Sequence, residues 1–156
     1  MSALRRAGLE VIGALGPGAD GLRWAVRDAA GDRWAATVLQ RPLGGERVRV
    51  RNRVARLAAL SHPHLVRVGP VIELSGGGLV VLQQEVRGAD LRTVRAGRGD
   101  WSAGEVVTVV VPLAEALAVL HAAGLAHGDV APGNVVIDAD GRPVLVDVVC
   151  SDGPTE

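Results

Sequence analysis

The sequence predicts an α+β fold, in which an antiparallel sheet with one helix precedes a smaller part built on one long helix and a hairpin. Short apolar runs alternate with Gly- and Asp-rich turns through the first 86 residues, which is typical of hairpin-connected strands. Within 46–60, Val50, Val54 and Leu57 recur at helical spacing and predict a helix with one apolar face. A long apolar stretch, 102–123, begins with Ser and has Glu three residues later, the pattern of a helix capping box.

The remaining elements are predicted from the same signals, which are short apolar runs for strands and helical spacing for helices. Each predicted strand is a short apolar run bounded by turn residues; the runs are 11–15, 22–27, 34–39, 65–68, 71–74, 79–86, 135–137 and 144–149. A polar linker, 88–100, contains a possible short helix at 90–94. We therefore divide the chain into a sheet-rich part at 1–87, a helical part at 88–150 and a tail at 151–156.

Composition places the chain among globular proteins. Of the 156 residues, 48% are hydrophobic and only 2% are aromatic, so Val, Leu, Ile and Ala must fill the core. The net charge is zero, but 1–60 carries about +6 and 61–156 about −6 on counting Arg, Asp and Glu. This asymmetry favours two solvated surfaces of opposite sign; the alternative is attraction between the halves, within one chain or between copies.

Several classes of protein are disfavoured. The single Cys150 cannot form a disulfide framework within the chain, and Glu10 interrupts the apolar stretch that follows the basic N-terminus, which argues against a signal peptide. No apolar run is expected to approach the ~20 residues of a membrane span. We therefore expect a cytoplasmic protein that binds neither nucleic acid nor membrane.

Five motifs stand in a recognisable order. The stretch 16–21 fits G-x-G-x-x-G between two predicted strands, 35–39 lies one strand later, and 61–66 (Ser-His-Pro-His-Leu-Val) follows the first helix. After the long helix come 127–134 (H-x-D-x-x-P-x-N) and 144–149, whose Asp147 lies thirteen residues beyond Asn134. Over about residues 9–150 the chain resembles the protein kinase fold, with a sheet-rich N-lobe and a minimal C-lobe. His-Gly-Asp at 127–129 is similar to aminoglycoside phosphotransferases, but the 61–66 motif resembles Ser/Thr protein kinases more closely.

The resemblance implies which residues belong to the site. Asp129 matches the catalytic base, and Asn134 and Asp147 match the two magnesium ligands. The phosphate-binding loop corresponds to Gly16, Gly18 and Gly21.

The resemblance also implies losses. The family's ATP-binding lysine corresponds to Thr37, and the chain contains no lysine, since all seventeen basic residues are Arg. By sequence, Arg27 and Arg33 are the nearest cations that could replace it, although an Arg fork does not reproduce the point contact of a lysine. The Glu that pairs with this lysine corresponds to Arg53. We hypothesise that Arg53 pairs with Asp147; the alternative is that Arg53 extends outward into solvent.

Two more family positions differ. Val148-Val149 stands where the family has Phe-Gly, which removes the backbone freedom of Gly at the hinge of the activation loop. Ala131 stands where protein kinases have a second lysine.

These features favour a pseudokinase-like, non-catalytic protein that regulates or scaffolds others. Only seven residues follow Val149, so the helices that cover the 102–123 helix in the family are not expected, and this helix should expose an apolar side to a protein partner or a second copy. ATP and magnesium are expected to bind weakly or not at all. The alternatives are an atypical ATP-dependent phosphotransferase that needs a partner, and a decayed or fragmentary chain.

Overall fold

The computed structural model describes residues 2–18, 21–40 and 44–149. The chain forms two compact units, one from Met1–Ala59 with Arg67–Glu85 and the other from Leu60–Val66 with Val86–Glu156. The α+β fold class predicted from the sequence is confirmed. The three-part division at 87 and 150 stays a prediction.

The first unit is a five-stranded antiparallel sheet with two helices. Its helices are α1 (Ser2–Arg6) and α2 (Gly44–Ala58), and its strands are β1 (Glu10–Gly18), β2 (Gly21–Arg27), β3 (Arg33–Leu39), β4 (Ile72–Glu73) and β5 (Leu79–Gln84). The sheet order is β1-β2-β3-β5-β4, so β3 is the central strand. Except for the run 65–68, the predicted strands and the predicted helix of this region are therefore present, each within a few residues of its expected limits.

Trp34 on β3 anchors the core of this unit. Its indole Nε1 donates to Asp28 Oδ2 at 2.8 Å, and the guanidinium of Arg67 lies 5.0 Å from the ring centroid. The ring also packs so closely on Gly69 that a Cβ built there would lie 3.0 Å from it. Trp34 and Ala36 point to the same face of the sheet and join the buried cluster of the first unit, which also contains Leu4, Leu9, Val26, Val80 and Leu82.

Helix α2 is attached to the sheet edge by ion pairs as well as by apolar contacts. Val54 and Leu57 are buried, as the helical periodicity predicted. Arg47 Nη2 and Arg51 Nη1 lie 2.7 and 2.6 Å from the two carboxylate oxygens of Glu73 on β4. Part of the arginine-rich surface of this helix therefore pairs within the chain.

The second unit combines two helices with a three-stranded antiparallel sheet. Its elements are β6 (Gly88–Asp90), α3 (Leu91–Arg98), α4 (Ala103–Ala122), the 3-10 helix Pro132–Asn134, β7 (Val135–Asp138) and β8 (Pro143–Leu145). The sheet order is β6-β7-β8. Asp90 caps α3 by accepting from the Thr93 backbone N–H.

The capping box predicted at the start of α4 is present. Ser102 Oγ accepts from the Glu105 backbone N–H at 3.3 Å, and the Ser102 backbone N–H donates to Glu105 Oε2 at 2.9 Å. The reciprocal pair satisfies two of the donors that a helix N-terminus leaves without partners. Local chemistry therefore fixes where this helix begins.

Three sequence-based expectations were wrong or incomplete. The strand at 65–68 is absent; only single bridges form there, from Leu65 to Leu145 and from Val68 to Gln83. The last strand ends at Leu145 instead of Val149. Helix α1 and strand β6 were not predicted because each is too short to show a period.

Helix α4 is long and apolar enough, by length and composition alone, to cross a membrane, contrary to the expectation that no run approaches that length. A core helix of a water-soluble protein can pass the same test. One face of α4 is buried within the second unit through Val109, Leu113, Ala116 and Leu120. The other face is exposed at Val106, Val107, Val110 and Val111, although an apolar pattern on all sides is typical of a helix buried on all sides.

We predict that Leu4→Ala destabilises the chain by about 2–5 kcal/mol, because Leu4 is buried and its truncation leaves a cavity in the first core. Urea unfolding followed by tryptophan fluorescence measures the change. Leu22→Ala is the matched control, since Leu22 is 46% exposed. Equal effects of the two substitutions would contradict the placement of α1 against this core.

We also predict that the capping box weakens in acid. Hydrogen bonds from the Ser102 backbone N–H and hydroxyl, followed by the charge of Arg98, hold the pKa of Glu105 below its usual value. A depressed folded-state pKa contributes stability above the unfolded-state value, and this contribution is lost as the pH falls through the folded-state value.

Glu105→Gln should therefore lose less unfolding free energy than the wild type between neutral pH and pH values below the usual glutamate pKa. Glu115→Gln on the same helix is the control, because Glu115 is exposed and has no ion-pair partner in the described parts of the chain. An identical pH profile for Glu105→Gln and the wild type would contradict the prediction.

Candidate functional site

Residues of the glycine-rich stretch and of β3 lie in one row across the sheet of the first unit. Arg23 on β2 pairs in register with Gly16 on β1 and with Thr37 on β3, and Thr37 pairs in turn with Val81 on β5. Directly opposed residues of antiparallel strands project on the same face of a sheet. The sheet therefore places two positions of the predicted site, Gly16 and Thr37, on either side of an arginine.

Thr37 lies on the face opposite to Trp34 and Ala36. It is only 5% exposed and presents a neutral hydroxyl. Because side chains alternate along a strand, Ala35 and Thr37 share this face, and the residue at 37 cannot be moved to the core face without moving the whole strand. At this position β3 contributes no charge.

Gly16 has a φ of 101°, in the region that glycine adopts without strain. Gly18 and Gly21 pair with each other at the ends of β1 and β2. The loop between them, residues 19–20, lies outside the described residues, so the cradle predicted from the glycine triad stays a prediction.

The two arginines that sequence proximity suggested as lysine replacements are both paired elsewhere. Arg27 Nη1 lies 3.3 Å from Glu10 Oε2. Arg33 makes a two-pronged contact with Glu85, at 2.6 and 3.0 Å, and this hydrogen bonding raises the pKa of Arg33 above its usual value. Neither is positioned beside Thr37 as Arg23 is.

Sequence reasoning missed Arg23. Fourteen positions separate Arg23 from Thr37 in the sequence, and only the register of the β2–β3 hairpin makes them neighbours. Counting both strands outward from the Asp28–Asp32 turn would have given this register, because residues equidistant from the centre of a hairpin turn oppose each other.

Arg53 lies on α2 and is half-buried. It belongs to the first unit, whereas Asp147 belongs to the second. The proposed Arg53–Asp147 pair stays a prediction.

His127 organises the loop of the second unit that carries the H-x-D-x-x-P-x-N motif. It is 1% exposed; its Nε2 lies 2.9 Å from the Val146 carbonyl oxygen and its Nδ1 accepts from the Asp129 backbone N–H at 3.2 Å. This pattern fits the neutral imidazole with the proton on Nε2. The side chain thus ties the Asp129 loop to the segment just before Asp147.

Asp129 and Asn134 are in direct contact. Asn134 Nδ2 donates to Asp129 Oδ2 at 2.8 Å and to the Asp129 carbonyl oxygen at 2.9 Å, while the Asn134 carbonyl oxygen accepts from the Val146 N–H at 2.9 Å. The predicted base and the first predicted metal ligand are therefore brought together. The next residue after Val146 is Asp147, the second predicted ligand.

The oxygen ligands available here suit magnesium. The amide oxygen of Asn134 and the carboxylates of Asp129 and Asp147 are ligand types that magnesium prefers. The amide nitrogen of Asn134 donates to Asp129. Across 2–18, 21–40 and 44–149, no three His, Cys, Asp or Glu side chains gather into a metal site. The assignment of Asn134 and Asp147 as magnesium ligands stays a prediction.

The backbone at Asp147 adopts a φ of 64°, which non-glycine residues rarely adopt and which aspartate tolerates better than most. Val148 and Val149, which follow it, are 0% and 2% exposed. The segment after Asp147 is therefore fixed by burial of two β-branched side chains, at the position where the resemblance has Phe-Gly.

Comparison with known proteins identifies the family. The model of the family "Protein tyrosine and serine/threonine kinase" matches residues 39–150, which include α2, α4 and the Asp129 loop. Serine/threonine-protein kinase PkaB of Streptomyces coelicolor is 44% identical over 86 residues, covering 54% of this chain and 20% of the relative. Probable serine/threonine-protein kinase CE0033 of Corynebacterium efficiens is 33% identical over 104 residues, covering 65% of this chain and 16% of the relative.

A more distant relative aligns over most of the chain. Ribosomal protein S6 kinase alpha-2 of Homo sapiens is 30% identical over 144 residues, which is 88% of this chain and 20% of that protein. The chain thus spans about a fifth or less of the length of these relatives. The family match covers more than half of the sequence, and the two bacterial relatives are named as serine/threonine-protein kinases. The chain belongs to the protein kinase family.

Proposed function

We propose that this chain is a non-catalytic member of the protein kinase family that acts by binding another protein. The observation that carries the proposal is the neutral Thr37 at the lysine position of β3, in a chain whose seventeen basic residues are all arginine. Phosphoryl transfer depends on cations that neutralise the developing charge on the phosphates, so loss of this lysine removes a main contribution to catalysis.

The surroundings of Asp147 support the same proposal. Ordering of the segment after this aspartate accompanies activation in the family, and a glycine there gives the backbone its freedom. Here Val149 is buried, and it lacks the backbone freedom that a glycine would give at this position. A fixed segment suits a protein that presents one surface rather than cycling through a reaction.

Retention of Asp129 and Asn134 does not require catalysis. Their side chains bond to each other, and Asn134 also holds the strand that leads to Asp147. Asp129 is exposed and Asn134 is half-buried, so loss of the hydrogen bond between their side chains would cost less than a buried unpaired group. This bond is one role that the two side chains can keep without catalysis.

We predict that the 156-residue chain transfers no phosphate from Mg-ATP to itself or to casein above the level of its Asp129→Asn variant. We also expect millimolar Mg-ATP to leave its melting temperature unchanged, because a ligand stabilises a protein only as its concentration approaches the dissociation constant. Radiolabel transfer and differential scanning fluorimetry measure the two effects. Turnover that Asp129→Asn abolishes would establish the chain as an enzyme and overturn the proposal.

The second candidate is a phosphotransferase or nucleotide-binding module that uses Arg23. The observation that favours it is the register, which puts this permanently charged side chain directly beside Thr37 and Gly16. An arginine binds phosphate oxygens with its planar fork rather than as a point charge, so the geometry differs from that of lysine.

This candidate has its own test. If Mg-ATP raises the melting temperature of the chain, Arg23→Met should abolish the shift, whereas Arg27→Met on the same strand should preserve it because Arg27 pairs with Glu10. A thermal shift that survives Arg23→Met would exclude Arg23 as the phosphate-binding cation. Absence of any shift in the wild type would exclude the second candidate and support the first.

A further inference from the structure

The outer face of α4 is apolar over four turns. Val106, Val107, Val110 and Val111 are 43%, 56%, 54% and 49% exposed. Three exposed alanines continue this face, at 103, 114 and 118. We call these seven residues the valine face; contiguous exposed apolar surface of this kind marks an interaction site.

A groove borders the valine face within the second unit. It has a volume of about 360 Å³ and lies between α3 and α4, with Leu91, Trp101, Val109 and Pro132 among its walls. Val106 and Val110 also line this groove, whereas Val107 and Val111 are one step further round the helix and stand beside it as a ridge. The molecule therefore carries a concave and a convex apolar surface side by side.

The groove is lined by one cation and one anion. Arg95 and Asp100 are both exposed, and neither has an ion-pair partner within the described ranges. The neighbouring Arg98 differs, because it pairs with Glu105 and stacks 5.7 Å from the Trp101 ring centroid. One positive and one negative group thus remain for a partner.

Trp101 also lines the groove. Its indole nitrogen is buried and finds no hydrogen-bond acceptor in the parts of the chain that the structure describes. A buried donor without an acceptor costs about 1–3 kcal/mol, so this side chain is a weak point in the packing beside the groove.

We infer that the occupant is a second copy of this chain, which places its own valine ridge in the groove while its groove receives the ridge of the first copy. A two-fold interface needs a surface that complements itself, so that each contact occurs twice. This surface has a ridge beside a groove and an unpaired Arg95 beside an unpaired Asp100 among the described residues. In the dimer, Arg95 of one copy faces Asp100 of the other. The inference rests on the proposed function, since it identifies the protein that is bound.

The valines make this pairing favourable. Their side chains have one strongly preferred χ1 rotamer on a helix, so little side-chain entropy is lost when they are covered. The exposed alanines let two helix backbones approach closely. No charged residue lies among the seven members of the valine face, so none has to be desolvated there.

The first test measures the molar mass of the chain by light scattering coupled to gel filtration. The protein concentration is varied from about 1 μM to 1 mM, because weak homodimers dissociate within this range. We expect a dimer. Val107→Glu should weaken dimerisation at least about a hundredfold, because the two-fold axis buries two new carboxylates. Val48→Glu is the matched control: Val48 is 57% exposed on α2 and lies in the other unit, so the dimer should persist.

A charge exchange tests the orientation. Arg95→Glu alone and Asp100→Arg alone should each give monomers, because like charges then face each other twice. An equimolar mixture of these two variants should give a heterodimer. In it, the introduced glutamate of one variant faces the introduced arginine of the other, and the remaining native pair, Asp100 with Arg95, is also complementary. Circular dichroism of each variant confirms that the fold is intact.

A wild type that stays monomeric throughout the concentration range overturns the inference, as does a dimer that is insensitive to Val107→Glu. Binding of the wild type to phospholipid vesicles as a monomer would assign the valine face to a membrane and also overturn it. These outcomes concern only the dimer and do not affect the phosphate-transfer assay. Phosphate transfer by the chain would overturn the proposed function, but it would not contradict the dimer.

Discussion

Burial of Trp34 is the constraint on which the first unit depends. The indole bonds to Asp28, lies under Arg67 and approaches Gly69 so closely that a Cβ there would lie 3.0 Å from the ring. Because one side chain of β3 is fixed in this way, the two-residue period of the strand fixes all the others. Thr37 must then lie on the opposite face in the row with Arg23. The electrostatics of the candidate site therefore follow from the packing of a core residue three positions away.

The hydrogen bonds of the second unit give Asp129 and Asn134 a structural part in the loop. His127 accepts from the Asp129 backbone and bonds to Val146, while Asn134 bonds to Asp129 and to Val146 from the other side. Asp129 and Asn134, which resemble catalytic residues, are thus also structural members of this network. Thr37 belongs to the first unit. Under the proposed function, Asp129 and Asn134 keep their part in this loop, whereas Thr37 does not supply the cation that phosphate binding uses.

The sequence predicted features whose residues lie close together in the chain and missed features that depend on distant residues. The capping box of α4 involves Ser102 and Glu105 alone, and its position was correct. Strand β3 was predicted because its alternation lies within seven residues. In contrast, the run 65–68 is apolar but makes only single bridges. Whether such a run pairs as a strand depends on tertiary contacts, which the local pattern does not contain. Arg23 was missed for the same reason, because its importance comes from cross-strand neighbours and from no motif.

Helix α4 exposes apolar side chains to solvent. Valine is a mediocre helix former, and four valines exposed in the first two and a half turns gain nothing from water. A face that served only to solvate the helix would carry the Glu, Lys or Arg residues that stabilise helices through neighbouring ion pairs. The buried face at Val109, Leu113, Ala116 and Leu120 attaches the helix to its unit. The proposed dimer would cover the valine face as well, and Arg95 and Asp100 beside it would then meet the opposite charges of the second copy.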